Sequence, residues 1–277
     1  TMPAEELMAS RTARLEKSDG LDMQDTPEVS DMREQRWGAM LLEGPYAWEL
    51  MAEIHGFDVI GLPYYEYMNT DDELMVLRCG KHGEFAYMVI GHEEKLVEQW
   101  RQLQQQGGKY YLQTGGLDYQ KIVRIENTGW DESLFAGYSR SPVEMQMQWA
   151  GQYDKEGGVG EEAVQALSQQ AGTRRLIGMI AEETCSGIAA GDSVLVDGQA
   201  IGHVVNAVFS PALQRFIALA LLESDYAWSD IAGYTLQTDT ETVVARTKSM
   251  PFIYNLSMLV NPTEHSFVDA SKAKSAL

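Results

Sequence analysis

A glycine-rich turn between two apolar runs brings together the side chains most capable of chemistry. The stretch 74–90 is typical of a strand, a tight turn at 80–83 and a second strand. Because side chains alternate along a strand, Glu84 shares a face with Ala86 next to the turn, and Arg78 ends the first strand. A carboxylate there can accept hydrogen bonds from the N–H edge of a heterocycle. The alternative is a hairpin with a merely solvated Glu84, and spacing alone favours that alternative.

The composition excludes several classes of function. Lys and Arg number 21 against 41 Asp and Glu, and the formal charge of -20 argues against a nucleic-acid backbone or an anionic membrane as partner. Cys79 and Cys185 are too few for a disulfide scaffold, and no Cys/His spacing predicts a zinc site or another metal. No apolar run is long enough to span a bilayer. We therefore predict a soluble, cytoplasmic protein with a small-molecule ligand.

The elements that position the hairpin follow from hydrophobic periodicity. Helices are predicted at 3–17, 45–54 and 93–106, with Trp100 on the buried side of the last one. Strands are predicted at 37–43 and 64–67 in addition to the hairpin, and 122–125 is either a strand or a short helix. This alternation predicts an α+β fold with helices packed on one face of a mostly antiparallel sheet.

The second part of the chain has a different pattern. Residues 127–172 predict a long aromatic connection that packs through side chains such as Trp149, with a helix at 161–170. Short β-rich runs follow, and Asp197-Gly198 between two of them is a two-residue hairpin signal, which predicts a small barrel or sandwich. We predict an α+β domain over 1–172 and a β-barrel domain over 173–277, with a loose tail from Ser266.

Six short segments follow one another in order over most of residues 37–255. They are LEGPYAWEL (42–50), VRIENTG (123–129), RLIG (175–178), IGHVV (201–205), FSPAL (209–213) and MPF (250–252). Together they resemble the T-protein superfamily, which comprises the tetrahydrofolate-dependent aminomethyltransferase of glycine cleavage and its demethylase relatives. The resemblance implies a folate-binding-like α+β domain followed by a C-terminal β-barrel, with tetrahydrofolate as cofactor.

Gly129-Trp130 and the aromatic connection after it look more like one branch of this superfamily, which removes methyl groups from methoxylated aromatic acids such as vanillate or syringate. This resemblance implies a methyltransferase or demethylase component that moves a methyl group from such an acid, or a similar small donor, to tetrahydrofolate. Two alternatives stay open. One is an aminomethyltransferase, and the other is a folate-binding or scaffold subunit of the same fold without its own catalysis.

The resemblance also implies site residues. In the family, a carboxylate on the strand after the glycine turn holds the pterin, and Glu84 is the candidate for that role. An arginine near the folate is matched by Arg124. Tyr87 and Trp130 are candidates to stack on rings, and Arg78 completes the cofactor-binding set, although each of these three could equally serve packing or the surface. No catalytic residue is assigned.

The family's first third has no counterpart before the predicted helix at 3–17, and it includes the acidic residue thought to assist transfer. We therefore expect that this chain is not a complete catalyst. A partner polypeptide or a homo-oligomer is expected to cover an apolar face that would otherwise be exposed.

Overall fold

The computed structural model describes residues 32–129, 141–152, 160–168 and 172–274, with single positions at 6, 9, 10, 155 and 157. The chain divides into two compact units. Unit 1 comprises Thr1–Gly80, Glu84–Leu112 and Leu256–Leu277, and unit 2 comprises Lys81–Gly83 and Gln113–Asn255. By these bounds, the predicted aromatic connection belongs to the same unit as the barrel, and residues 256–277 belong to unit 1. The domain boundary near Gly172 stays a prediction. The predicted helix at 3–17 lies outside the described residues, apart from three positions.

Unit 1 contains a four-stranded antiparallel sheet in the order β1-β4-β3-β2. Its elements in chain order are β1 (Trp37–Glu43), α1 (Ala47–His55), α2 (Asp58–Gly61), β2 (Tyr67–Asn69), β3 (Met75–Arg78), β4 (Ala86–His92) and α3 (Glu93–Gly107). The predicted hairpin is confirmed, because β3 pairs with β4 from Met75 opposite Ile90 to Arg78 opposite Tyr87. The second strand begins only at Ala86, so the prediction that Glu84 lies on it is wrong. The strand predicted at 64–67 begins only at Tyr67, since Tyr65 has a left-handed backbone with φ +67°.

The core of unit 1 lies between the sheet and its helices. Leu50 and Met51 of α1 pack in one buried cluster with Tyr87 and Val89 of β4. Helix α3 buries Leu96, Gln99 and Leu103, and the prediction that Trp100 lies on the buried side is wrong, since 42% of it is exposed. The buried stripe uses the i+3 position, which here is a glutamine, in place of the i+4 tryptophan.

The end of the chain completes this core. The hydroxyl of Ser266 donates to the Glu49 carboxylate on α1, and the amide of Phe267 donates to the other oxygen at 2.8 Å. The Phe267 ring lies 5.3 Å from the Tyr46 ring and 5.5 Å from the Tyr111 ring, measured between centroids. The prediction of a loose tail from Ser266 is therefore wrong for residues up to 274, because an apolar anchor follows a buried serine.

Unit 2 contains a closed six-stranded barrel in the order β10-β5-β8-β7-β6-β9. Its strands are β5 (Arg174–Ala181), β6 (Ser193–Val196), β7 (Gln199–Ser210), β8 (Arg215–Glu223), β9 (Tyr234–Gln237) and β10 (Thr242–Lys248). Val196 pairs with Gln199 across a two-residue turn in which Asp197 has φ +50° and Gly198 has φ +80°. Both angles are positive, as a type I′ hairpin requires, so the predicted turn and the barrel alternative are confirmed.

Among the described residues of unit 2, two α-helices precede the barrel. The first, α4 (Leu117–Glu126), is longer than the strand or short helix predicted at 122–125, and it buries Ile125 in a cluster with residues of β5, β7 and β8. The second, α5 (Glu161–Ser168), confirms the helix predicted at 161–170. Within the described part of the connection, Met145 is buried whereas Trp149 is 80% exposed, so the prediction that Trp149 anchors it is wrong.

Among the described residues, no helix is long and apolar enough to cross a membrane. The same residues contain no group of three or more His, Cys, Asp or Glu side chains able to hold a metal ion.

Candidate functional site

Glu84 lies two residues before the start of β4, and a serine near the end of the chain holds its carboxylate. The Ser257 amide donates to Glu84 Oε2 at 3.1 Å, and the Ser257 hydroxyl donates to the same oxygen. Ser257 Oγ in turn accepts a hydrogen bond from the Phe85 amide at 2.8 Å. These three bonds join the beginning of β4 to the short 3₁₀ helix Leu256–Leu259 within unit 1.

The two oxygens of the Glu84 carboxylate differ in their hydrogen bonds. Glu84 Oε2 accepts both bonds from Ser257, whereas the described residues provide no hydrogen-bond donor to Oε1. The carboxylate is half-buried, so Oε1 can accept from a donor outside the protein. Sequence reasoning missed Ser257, which is 173 positions from Glu84 and falls in a stretch with no periodic pattern.

Arg78 supports the polypeptide around the hairpin. Its Nη1 donates to the Leu62 carbonyl at 2.7 Å, and its guanidinium carbon lies 5.4 Å from the centre of the Phe85 ring. Stacking on an aromatic face and bonding to a main-chain carbonyl together fix the guanidinium at the end of β3. These contacts favour a supporting role for Arg78, and its predicted contact with a cofactor stays a prediction.

Tyr87 belongs to the interior of unit 1. Its side chain is fully buried and its hydroxyl donates to the Val59 carbonyl at 3.2 Å. Burial raises the pKa of Tyr87 to about 12, with the positive charge of Arg78 acting in the opposite direction. Since no face of the ring is exposed, this position favours packing over the ring-stacking role that the sequence suggested.

Arg124, another predicted site residue, belongs to unit 2. Arg124 lies half-buried in the last turn of α4. Beside it, the buried carboxylate of Glu126 accepts a 2.5 Å hydrogen bond from the fully buried Ser210 hydroxyl, and the Glu126 carbonyl accepts from the Phe252 amide at 2.8 Å. Sequence analysis missed this pair, although both members lie in the segments 123–129 and 209–213 that carry the family resemblance. Trp130 lies outside the described residues.

The turn that precedes Glu84 is anchored to the segment after α4. Asn127 Nδ2 donates to the His82 carbonyl at 3.2 Å, within unit 2. A Cβ on Gly129 would lie 2.9 Å from the Lys81 carbonyl, closer than real Cβ atoms approach oxygen. Glycine at 129 therefore permits the close contact with the turn.

Comparison with known proteins gives a consistent result. Residues 174–253 match the family model described as the glycine cleavage T-protein C-terminal barrel domain. An aminomethyltransferase from Caldanaerobacter subterraneus subsp. tengcongensis is 28% identical over 193 residues, covering 68% of this chain and 51% of that protein. An aminomethyltransferase from Desulfitobacterium hafniense is 24% identical over 232 residues, covering 82% of this chain and 62% of that protein.

A solved structure shares the fold. The glycine cleavage system aminomethyltransferase T from Bartonella henselae has a TM-score of 0.66 to this chain at 18% identity, covering 78% of this chain and 60% of that one. At that identity the likeness concerns the fold alone. The chain spans between half and two thirds of the length of the curated relatives it matches.

Proposed function

The family model, the curated relatives and the solved structure support the T-protein superfamily, and from that premise we propose that this chain is a component of a tetrahydrofolate-dependent one-carbon transferase. The methyl donor in this proposal is a methoxylated aromatic acid or a similar small molecule, a choice supported by Gly129-Trp130 and the aromatic connection. An aminomethyl donor is the second candidate, because the relatives are named aminomethyltransferases.

The observation that carries the proposal is the Glu84 carboxylate fixed by Ser257. A reduced pterin presents ring N–H groups along one edge, and a carboxylate accepts such donors in short, charge-assisted hydrogen bonds. Because Ser257 holds Oε2, the carboxylate is oriented before any ligand arrives and Oε1 is left to accept. The residues present therefore fit the group that the family implies.

Each residue contributes binding and orientation in this proposal. When bound, the folate supplies the nitrogen that accepts the one-carbon unit. Glu84 fixes the pterin edge. The role of Arg124 near the carboxylate end of a folate stays a prediction from the family resemblance. Holding both reactants in a productive geometry is the main source of acceleration for a transfer of this kind. A partner polypeptide or a homo-oligomer stays a prediction.

Calorimetry with tetrahydrofolate tests the binding role. We expect Glu84→Gln to weaken binding about 10- to 100-fold, because the amide loses the charge that strengthens the hydrogen bonds. The control is Glu66→Gln, which removes the same charge from an exposed position in unit 1. Equal affinities for both variants would contradict the role of Glu84.

A second pair of variants examines Arg124. Arg124→Ala is expected to weaken tetrahydrofolate binding, whereas Lys121→Ala, an exposed change on the same helix, leaves it unchanged. Demethylation of a methoxybenzoate is then measured with the wild-type chain, with and without candidate partner polypeptides. Binding without transfer under all these conditions would favour the scaffold alternative.

A further inference from the structure

Strand β2 forms one edge of the unit 1 sheet. Met68 lies opposite Val76 on β3, and the Thr70 amide donates to the Leu74 carbonyl at 2.8 Å. In an antiparallel ladder, bonded and non-bonded pairs alternate, so the main-chain groups of Tyr67 and Asn69 point away from β3. No strand among the described residues pairs with that side of β2. This edge can therefore accept an added strand.

A β-bulge presents tyrosines along this edge. Both the Tyr65 amide and the Glu66 carbonyl bond to Arg78, at 2.8 and 3.0 Å, so two residues oppose one. Tyr65 adopts φ +67°, a conformation that favours glycine. Its ring serves no core, because Tyr65 is 71% exposed, and its neighbours Tyr67 and Tyr64 are 57% and 54% exposed. A strained, exposed aromatic residue is the kind of outlier that suggests a function.

The segment that carries the tyrosines is acidic, and the neighbouring Arg78 guanidinium on β3 is already held by the Leu62 carbonyl and the Phe85 ring. Residues 57–73 include five carboxylates and no Lys or Arg; the carboxylates are Asp58, Glu66, Asp71, Asp72 and Glu73. All five are exposed. A second copy of this chain would bring the same acidic segment and its own formal charge of -20, so charge disfavours self-association through this edge.

We propose that the tyrosine edge, defined as β2 together with Tyr64 and Tyr65, binds an extended basic segment of a partner polypeptide. The segment adds a strand beside β2 and bonds to the outward main-chain groups of Tyr67 and Asn69. Its arginine or lysine side chains stack on the tyrosine rings and pair with the surrounding carboxylates. The proposal stands independently of folate binding, since it uses neither Glu84 nor Arg124 nor Ser257.

The test uses the full chain and three synthetic peptides. The first alternates arginine and valine over ten residues, the second replaces each arginine by glutamate, and the third replaces the central valines by proline. We expect binding only by the first, because the second has the wrong charge and the third lacks the main-chain N–H groups of its central valines and resists the regular strand conformation. Hydrogen exchange at the Tyr67 and Asn69 amides is expected to slow when the first peptide is bound. Equal binding by the proline peptide, or unchanged exchange at these amides, would overturn the proposal.

Variants separate the edge from the general acidity of the chain. Tyr65→Gly removes a ring and relieves the backbone strain, so the fold is retained while peptide affinity falls about tenfold. Tyr254→Ser is the control, since Tyr254 is a 75% exposed tyrosine in unit 2. An unchanged affinity in both variants would show adventitious charge attraction, and an equal loss in both would show unspecific contact with exposed rings; either result would sink the proposal. Sedimentation completes the test: a dimer that Tyr65→Gly dissociates would assign the edge to a second copy and also overturn it.

Discussion

The barrel of unit 2 and the sheet of unit 1 differ in whether they have unpaired edge strands. Every strand of the barrel has two neighbours, so the closed sheet satisfies its own edges. The sheet of unit 1 ends at β1 and β2, and residues 256–274 return from the far end of the chain to pack Val260 and Phe267 in its core. The barrel is therefore a self-contained support, whereas unit 1 depends on distant segments that also fix Glu84.

The largest expected effect compares one glycine from each sheet. A Cβ on Gly202 in β7 would lie 2.8 Å from Leu222 Cα and against the Leu221 carbonyl, whereas a Cβ on Gly91 in β4 would meet Leu74 Cδ2 at 2.5 Å. Backbone cannot move as readily as a leucine methyl group. We expect Gly202→Ala to cost about 3 kcal/mol of unfolding free energy and Gly91→Ala about 1 kcal/mol.

Hydrogen exchange in β8 for the first variant and in β4 for the second reports each region separately. A larger loss of protection in Gly91→Ala than in Gly202→Ala would show that the open sheet is the more tightly packed of the two.

A smaller effect compares two serine–glutamate pairs. Ser210→Ala leaves the buried Glu126 carboxylate without its 2.5 Å donor, so we expect a loss of about 2 kcal/mol. Ser266→Ala is expected to cost about 1 kcal/mol, because Glu49 is less buried and keeps the Phe267 amide at 2.8 Å. Urea unfolding of both variants measures the difference, and the reverse order would mean that unit 1 relies on its pair more strongly.

The smallest effect compares two left-handed residues. Tyr65→Gly in the tyrosine edge is expected to stabilise the chain by about 1 kcal/mol, because glycine adopts φ +67° without a Cβ clash. Asp197→Gly in the barrel hairpin is expected to gain less, since aspartate tolerates a φ of +50° better than tyrosine does. Thermal unfolding of the two variants measures both changes in stability. No gain in Tyr65→Gly would show that the contact between the Tyr65 and Tyr64 rings, 4.3 Å apart between centroids, offsets the backbone strain.

The barrel could be predicted from sequence because its information is local. Asp197-Gly198 specifies the turn, and the β-rich runs on either side specify the strands it joins. The hairpin of unit 1 was predicted for the same reason. The structure of the end of the chain could not be predicted, because Ser257 and Phe267 contact residues far away in the sequence. Local propensity and hydrophobic periodicity carry no information on such contacts.

In the candidate site too, local sequence signals could be predicted and long-range contacts could not. The carboxylate beside a glycine turn could be identified from residue types, but the orientation of its two oxygens depends on Ser257. Alternation along β4 already allowed Tyr87 to be core, and the structure places its ring there. Trp100 and Trp149 were expected to be buried because they are large and apolar, yet packing selected Gln99 and Met145 instead.

If Ser257 orients Glu84 for a reduced folate, tetrahydrofolate affinity depends on the Ser257 hydroxyl, and two Ser257 variants measure that dependence. Ser257→Ala removes the hydroxyl that donates to Glu84, so we expect binding to weaken about tenfold. Ser257→Thr keeps a hydroxyl and is expected to restore most of the affinity. Wild-type affinity in Ser257→Ala, in a chain where Glu84→Gln still weakens binding, would contradict the orienting role of Ser257 and leave that of Glu84 intact.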